Sequence, residues 1–306
     1  MLKFLFSYMP WKNLGNIFTP TSQKKWIHSH ASLPVAHHLG NGNFRIFFSS
    51  RDSKNHSHIG YVELDVEKLL IHNISPNPVL SPGPPGSFDQ NGLSMGCLIQ
   101  VEHSLYLYYV GWGKPINGQF NNAIGMAKWD ESQQCFVKSI KNPVVGIDTV
   151  DSISLSYPFI IEKNQTLIMW YGSHKTWGIN ESDRLHILKT AESIDGIFWK
   201  KNSNPVLEFK DENEFAFSRP SIVWQNGEYK MWFSYKGEGY RIGYAESLDG
   251  LHWNRKDDMV NLYNSNTLWA SKEVCYPNVF EYKNNLYMLF NGNGYGKTGF
   301  ALAIWE

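Results

Sequence analysis

The stretch AESIDGIFW, residues 191–199, returns almost unchanged as AESLDGLHW at 245–253, an offset of 245 − 191 = 54 residues. A repeat at such a period is the signature of stacked or radial architecture, each copy being one supersecondary unit. Within it, Ser-x-Asp-Gly-x-x-Trp has the chemistry of a turn. Ser and Asp side chains bond nearby amides, Gly takes a positive φ, and Trp packs back on the strands. Asp195 and Asp249 are accordingly read as structural residues of an outer rim.

Working outward, residues 219–256 read as four strands in hairpin order, and 157–202 match them strand for strand. Residues 94–139 keep the pattern with a degraded turn at Trp129-Asp130-Glu131, 34–74 form the most divergent copy, and 276–306 stop after three strands. Short alternating runs broken by Gly, Asn, Asp and Pro, without long helical periodicity, make the chain all-β. Radial repetition avoids long exposed edges when the ring closes, and a terminal strand borrowed from the other chain end closes it. WKNLGNIF, 11–18, resembles the outer strands, with Trp11 aligned to Trp199 and Trp253. The sequence therefore predicts a single five-bladed β-propeller over 1–306, closed by an N-terminal strand, with blades about 31–75, 93–140, 155–203, 217–257 and 274–306 plus 11–18. A two-sheet sandwich is the weaker alternative, having no reason to repeat at this period.

Lys+Arg and Asp+Glu both number 28, so no global field draws in nucleic acid or an acidic membrane surface. Cys97, Cys135 and Cys275 are odd in number and widely spaced, which argues for reduced thiols rather than a disulfide framework or zinc site. The opening MLKFLFSYMPWKN has too short an apolar run for a secretory signal, and polar residues interrupt every later one, so a cytoplasmic chain without a membrane span is expected. Aromatic residues make up 15% of the chain, a content that suits strands and surfaces that stack on sugars or bases.

A second repeat marks the inner strands: Ser32-Leu33-Pro34, Ser156-Tyr157-Pro158, Ser218-Arg219-Pro220 and Cys275-Tyr276-Pro277. Proline fixes where a strand begins, and the residue before it, which differs in each copy, is expected to face a central funnel. Around these starts and the ends of the neighbouring second strands stand carboxylates, imidazoles, cations and aromatics. Asp52, Asp89 and Glu273 are the catalytic candidates, because two carboxylates set across a sugar are the minimum apparatus for glycosidic cleavage. His30, Arg51, Trp112, Tyr157, His174, Arg219, Lys236, Tyr276 and Asn291 are the candidates for holding the sugar. Each candidate acid has a plain structural alternative: a loop cap for Asp89, a salt-bridged turn for Arg51-Asp52, a solvated loop charge for Glu273. No metal-binding spacing stands out and no cofactor is implied; NHSHIG, 55–60, lacks a second ligand cluster, and GNGYGKTG, 292–299, fails the phosphate-loop register.

Taken together, WKNLGNIF, RIFFSSRD, PGSFDQNG, YLYYVGW, AIGMA, YRIGYAESLDGLHW and YMLFNGNGYGKTGF resemble a bacterial family of glycoside-hydrolase-like five-bladed propellers over essentially the whole chain. That family is related to arabinanases, β-xylosidases, invertases, levansucrases and β-mannoside phosphorylases. The resemblance implies the propeller, a carbohydrate ligand and a setting in surface-polysaccharide assembly. It carries onto this chain the Asp of G-x-F-D-x-x-G as Asp89 and the Arg-Asp after the second strand as Arg51-Asp52. Related sequences place an acid directly before the last Tyr-Pro, where this chain has Cys275. Either Glu273 stands in from two residues away or the activity is not two-carboxylate hydrolysis. The leading expectation is glycosidic cleavage or transfer in the funnel. The alternatives are a glycosyltransferase or phosphorylase using an activated sugar or phosphate, and a sugar-binding propeller without catalysis. Two carboxylates about 5 to 10 Å apart across the funnel would favour catalysis, and their absence binding alone.

Overall fold

Strand β1 (Trp11–Phe18) pairs antiparallel along its length with the last strand of the chain, β20 (Phe300–Trp305). This pairing appears in a computed structural model that describes residues 11–22, 24–263 and 266–306. The expectation about a leader rests largely on residues 1–10, which lie outside the described residues. No described helix is long and apolar enough to cross a membrane.

Between these ends the chain is a succession of antiparallel meanders. The first holds β2 (Ser29–Gly40), β3 (Asn43–Arg51), β4 (Ser57–Asp65) and β5 (Leu70–Ile74). The second holds β6 (Gly92–Val101), β7 (Ser104–Trp112), β8 (Asn122–Asp130) and β9 (Cys135–Val137). The third holds β10 (Leu155–Lys163), β11 (Thr166–His174), β12 (His186–Ser193) and β13 (Lys200–Lys201). The fourth holds β14 (Ala216–Gln225), β15 (Glu228–Lys236), β16 (Tyr240–Ser247) and β17 (Asn254–Arg255). β18 (Cys275–Tyr282), β19 (Asn285–Asn291) and β20 form the last, completed by β1. A single parallel pairing, Ser57 with Gly92, joins the first two meanders into an eight-stranded sheet, and His186 with Ala216 joins the third and fourth. No sheet closes on itself among the described residues.

The apolar core lies between meanders rather than inside them. Phe47 and Tyr61 meet Met95, Tyr109 and Trp129 between the first and second. Tyr108 and Ile124 meet Leu155 and Met169 between the second and third, and Trp170 meets Phe217, Met231 and Ala245 between the third and fourth. Trp232 and Tyr244 meet Trp11, Met288 and Phe290 between the fourth and last. A further cluster joins the last meander to the first, through Phe18, Tyr287 and Phe300 on one side and Phe48, Val62 and Leu64 on the other. Each first strand likewise packs on the next: β2 on β6, β6 on β10, β10 on β14, β14 on β18, and β18 on β2.

The doubled turn has its cause in this packing. The carbonyl of Gly196 accepts from Trp199 Nε1 within its own turn at 2.9 Å and from Tyr108 Oη of the preceding meander at 2.8 Å. Gly250 repeats this with Trp253 at 3.0 Å and Trp170 at 2.9 Å. Asp195 Oδ1 accepts from the amides of Ile197 and Phe198, and Asp249 Oδ1 from those of Leu251 and His252, while both glycines take positive φ.

The Xaa-Pro repeat marks a bulge in each first strand that carries it. Leu33, Tyr157, Arg219 and Tyr276 all have φ between 48° and 59°, and the strand register slips at each. Positive φ on a bulky side chain is sterically costly, so the surrounding sheet imposes it.

Candidate functional site

Equivalent ends of the meanders build one cavity of about 510 Å³. The last residues of four second strands line it: Arg51, Trp112, His174 and Lys236. So do the first residues of four third strands, Ser57, Asn122, His186 and Tyr240. First strands add Ser32, Ser94, Ser156, Tyr157 and Tyr276. Connecting segments supply Phe120, Glu181, Arg184 and Tyr295. One scaffold position thus carries a guanidinium, an indole, an imidazole or an ammonium according to the meander.

Aromatic rings dominate one side. Tyr157 and Tyr276 share a hydroxyl–hydroxyl hydrogen bond of 3.2 Å with ring centroids 5.5 Å apart, and Tyr240 and Tyr295 continue the cluster. Burial pushes the Tyr157 phenol up to about 12 and that of Tyr276 well above its ordinary value, so both stay protonated donors at neutral pH. Such rings offer faces to a sugar and hydroxyls to its oxygens.

Charge in the cavity is lopsided. Glu181 is the carboxylate among the lining residues, and Lys236 and Tyr295 Oη both bond its Oε1, the latter at 3.0 Å. Burial alone would raise this carboxyl, but Lys236, Tyr295 and Arg184 hold it below its ordinary value. Against it stand Arg51, Arg184 and Lys236, giving 3 − 1 = +2 over the lining. Arg51 donates to Asn55 Oδ1 at 3.1 Å and lies 5.5 Å over Trp112; Arg184 donates to the carbonyls of Gly178 and Ile179 and lies 4.7 Å over Trp177. Neither makes an ion pair among the described residues. His30 is lowered to about 4 by burial, then by Arg51 and Lys297, and His174 to about 4 chiefly by burial, so both rings are neutral at pH 7.

Of the sequence-predicted residues, His30, Arg51, Trp112, Tyr157, His174, Lys236 and Tyr276 come together on this lining. The other five lie elsewhere, for a physical reason in each case. Asp89 is buried and bonded by Lys138 at 2.6 Å, Tyr109 at 3.0 Å and Ser87 at 2.8 Å. Asp52 closes its own turn, accepting from the amides of Lys54 and His56 and from His58. Glu273 accepts from the amides of Gly294 and Tyr295, fixing the loop that carries Tyr295. Arg219 is only 1% exposed, donates to the carbonyl of Gly96 in the second meander, and lies close to Cys97, Tyr157 and Tyr276. Asn291 accepts from the amide of Leu33 at 2.8 Å and donates to the carbonyls of Ala31 and Gly299 at 2.7 and 2.8 Å, clasping the last meander to the first.

Two further acids expose the pattern behind Asp89 and Glu273. Asp151 and Glu214 also precede a first strand, and both are spent on structure: Asp151 binds Lys189, Lys201, Tyr171 and Ser173, while Glu214 binds Arg255. The sequence reading missed Ser156, His186, Tyr240, Glu181, Arg184 and Tyr295. Aligning the third-strand starts across the repeat would have found His186 and Tyr240; Glu181, Arg184 and Tyr295 lie in connecting segments that break the repeat. Among the described residues, no group of three or more His, Cys, Asp or Glu side chains is placed to hold a metal ion.

No protein-family sequence profile matches the chain. Rv1502 of Mycobacterium tuberculosis strain H37Rv and MT1551 of strain CDC 1551, both uncharacterized proteins, are each 39% identical over 303 residues, spanning 97% of this chain and 100% of the relative. Among solved structures, a glycoside hydrolase superposes with a TM-score of 0.74 at 16% identity over 96% of this chain and 92% of its own. BT0996, solved as a complex with RGII, gives 0.73 at 15% identity, covering 96% and 91%. A structure from work on the GH130 mannoside phosphorylases and β-1,2-mannoside hydrolases gives 0.70 at 13%, covering 95% and 91%. The chain shares the fold of these propeller glycoside hydrolases.

Proposed function

We propose that this chain, which belongs to one family with the two mycobacterial proteins, is a carbohydrate-active protein whose cavity takes a sugar bearing a negative charge. The observation that carries this reading is the cavity lining, where aromatic faces stand beside the Arg51 guanidinium, which makes no ion pair among the described residues, and where three cations face one carboxylate. A buried or half-buried guanidinium without a counter-ion favours an anionic ligand, and a charge-assisted hydrogen bond contributes about 1.5–3 kcal/mol. The scaffold of this reading is a closed ring of five blades in one domain, supported by the cyclic packing of first strands, the core cluster between last and first meanders, and the Asn291 clasp.

Two-carboxylate glycosidic hydrolysis does not suit this lining. A general acid must hold a proton near neutral pH. Glu181, held ionised by Lys236, accepts hydrogen bonds instead. The same cation excess favours a second reading, glycosyl transfer to or from phosphate, in which the anionic oxygen attacks without a general base or leaves without a general acid, so that only the sugar oxygen on the other side of the reaction has a proton to gain or lose.

Thermal shift tests both. Glucuronate or glucose 6-phosphate should raise the Tm more than glucose, and Arg51→Gln should weaken the anionic sugar's Kd roughly tenfold to a hundredfold, the worth of one charge-assisted bond. A rise in Tm with inorganic phosphate alone would single out the transfer reading. No shift with any sugar or phosphate would overturn the whole proposal.

A further inference from the structure

Ser156 and His186 line the cavity together, with Oγ and Nε2 2.7 Å apart. The other ring nitrogen, Nδ1, faces the carbonyl of Phe217 within hydrogen-bond reach. A carbonyl only accepts, so Nδ1 carries the proton, Nε2 holds the lone pair, and the hydroxyl of Ser156 must donate to it. This is the arrangement of an activated serine, in which a backbone carbonyl orients the imidazole where a triad uses a carboxylate.

The pair is particular to the third meander. Serines occupy the equivalent position before the bulge as Ser32 and Ser218, yet the third-strand starts of the other meanders supply Ser57, Asn122, Tyr240 and Phe300 in place of His186. Gly172 makes room for the contact: a Cβ there would lie 2.3 Å from His186 Cε1, 2.6 Å from Nε2 and 2.6 Å from Ser156 Oγ.

We propose that Ser156 and His186 are a nucleophile–base pair that removes an acyl ester, such as an O-acetyl group, from a sugar in the cavity. Ser156 Oγ attacks the ester carbonyl carbon while its proton passes to His186 Nε2. The ester C–O bond to the sugar breaks, and the departing sugar oxygen takes that proton. Water then attacks the acyl-serine and yields a proton to Nε2; the acyl C–O bond to Oγ breaks, the acid leaves, and Nε2 returns the proton to Ser156 Oγ. Asn122 and Arg184 line the same cavity and are the candidates for stabilising the carbonyl oxygen as it gains charge. Burial and His174 hold the His186 imidazole neutral well below its usual range, so the base form persists into mildly acidic solution.

The inference rests on the sugar-cavity reading for its substrate alone; the serine's reactivity is tested without a sugar. The intact chain is incubated with a fluorophosphonate and the adduct located by mass spectrometry, while turnover of p-nitrophenyl acetate and glucose pentaacetate is followed. The expected result is an adduct on Ser156, with hydrolysis that does not fall as pH drops through 6.5, the ordinary imidazole value. Ser156→Ala should abolish labelling and turnover in a chain that still unfolds in one cooperative transition, at a Tm lowered by the acceptor left unpaired on His186. Gly172→Ala, which closes the space between the two side chains, should cost at least tenfold in kcat. Absence of an adduct and of turnover in the folded wild-type chain would overturn the proposal, and sugar-induced Tm shifts in that same sample would leave the binding reading standing by itself.

Discussion

Asp89 and Asp151 show how misleading a carboxylate can be when its partners are unseen. Both are almost fully buried, and in both burial works to raise the carboxyl while a lysine and hydroxyl donors outweigh it, leaving the folded group below 3.8. A depressed folded value adds stability that is fully present above the unfolded value and lost as pH falls through the folded one. Acid unfolding followed by circular dichroism should therefore begin below about pH 4, and Asp89→Asn should flatten its pH dependence. Asp151→Ala leaves Lys189 charged and buried, and should cost about 3–5 kcal/mol in urea unfolding. The sequence could suggest Asp89 as catalytic because residue type and loop position are the same for a funnel carboxylate and a buried brace. What distinguishes them is the lysine each one meets, 49 residues away for Asp89 and 38 for Asp151. Internal comparison still held a clue, since an acid ahead of nearly every first strand is a mark of architecture.

At the scale of the element, the doubled turn was the most legible feature, whereas the Xaa-Pro repeat, expected to mark where a strand begins, lies at a bulge inside each first strand, and the structure gives each a reason beyond local preference. The Gly carbonyl at the turn accepts two donors, one from its own Trp and one from the neighbouring meander, so changing the turn disturbs an interface as well as a hairpin. Gly250 takes φ +79°, and a Cβ there would sit 3.0 Å from Trp170. Gly250→Ala should lower stability by about 1–2 kcal/mol from the backbone alone, read as a Tm decrease with fluorescence of the Trp170 environment as a second signal. The strand ends that build the cavity were half legible. Second-strand termini such as Arg51 and Lys236 stand out by type, whereas Glu181, Arg184 and Tyr295 come from connecting segments whose path no periodicity encodes.

For the molecule as a whole, the pairing of β1 with β20 places Trp11 at the seam between the fourth and last meanders. Its ring stands edge-on to Trp232 at 5.7 Å and to Trp305 at 5.2 Å, and it is 4% exposed. Trp11→Ala should cost about 3–5 kcal/mol, and the loss should appear as one cooperative transition at lower Tm if neighbouring meanders stabilise each other. A separate early transition of the last meander would instead show that its neighbours hold without it. That strand was legible because Trp11 repeats the outer-strand tryptophan, which is a statement about packing that sequence alone can make.

The same seam sets an order in time. β1 leaves the ribosome before every other described strand, and its partner β20 follows 305 − 11 = 294 residues later. At about 5–20 residues per second, that is a wait of roughly 15 to 60 s. Through that interval the strand is synthesised but unplaced, and the meanders between must fold before it pairs. Whatever protects a nascent strand from pairing with the wrong edge has its longest duty here, at the beginning of the chain.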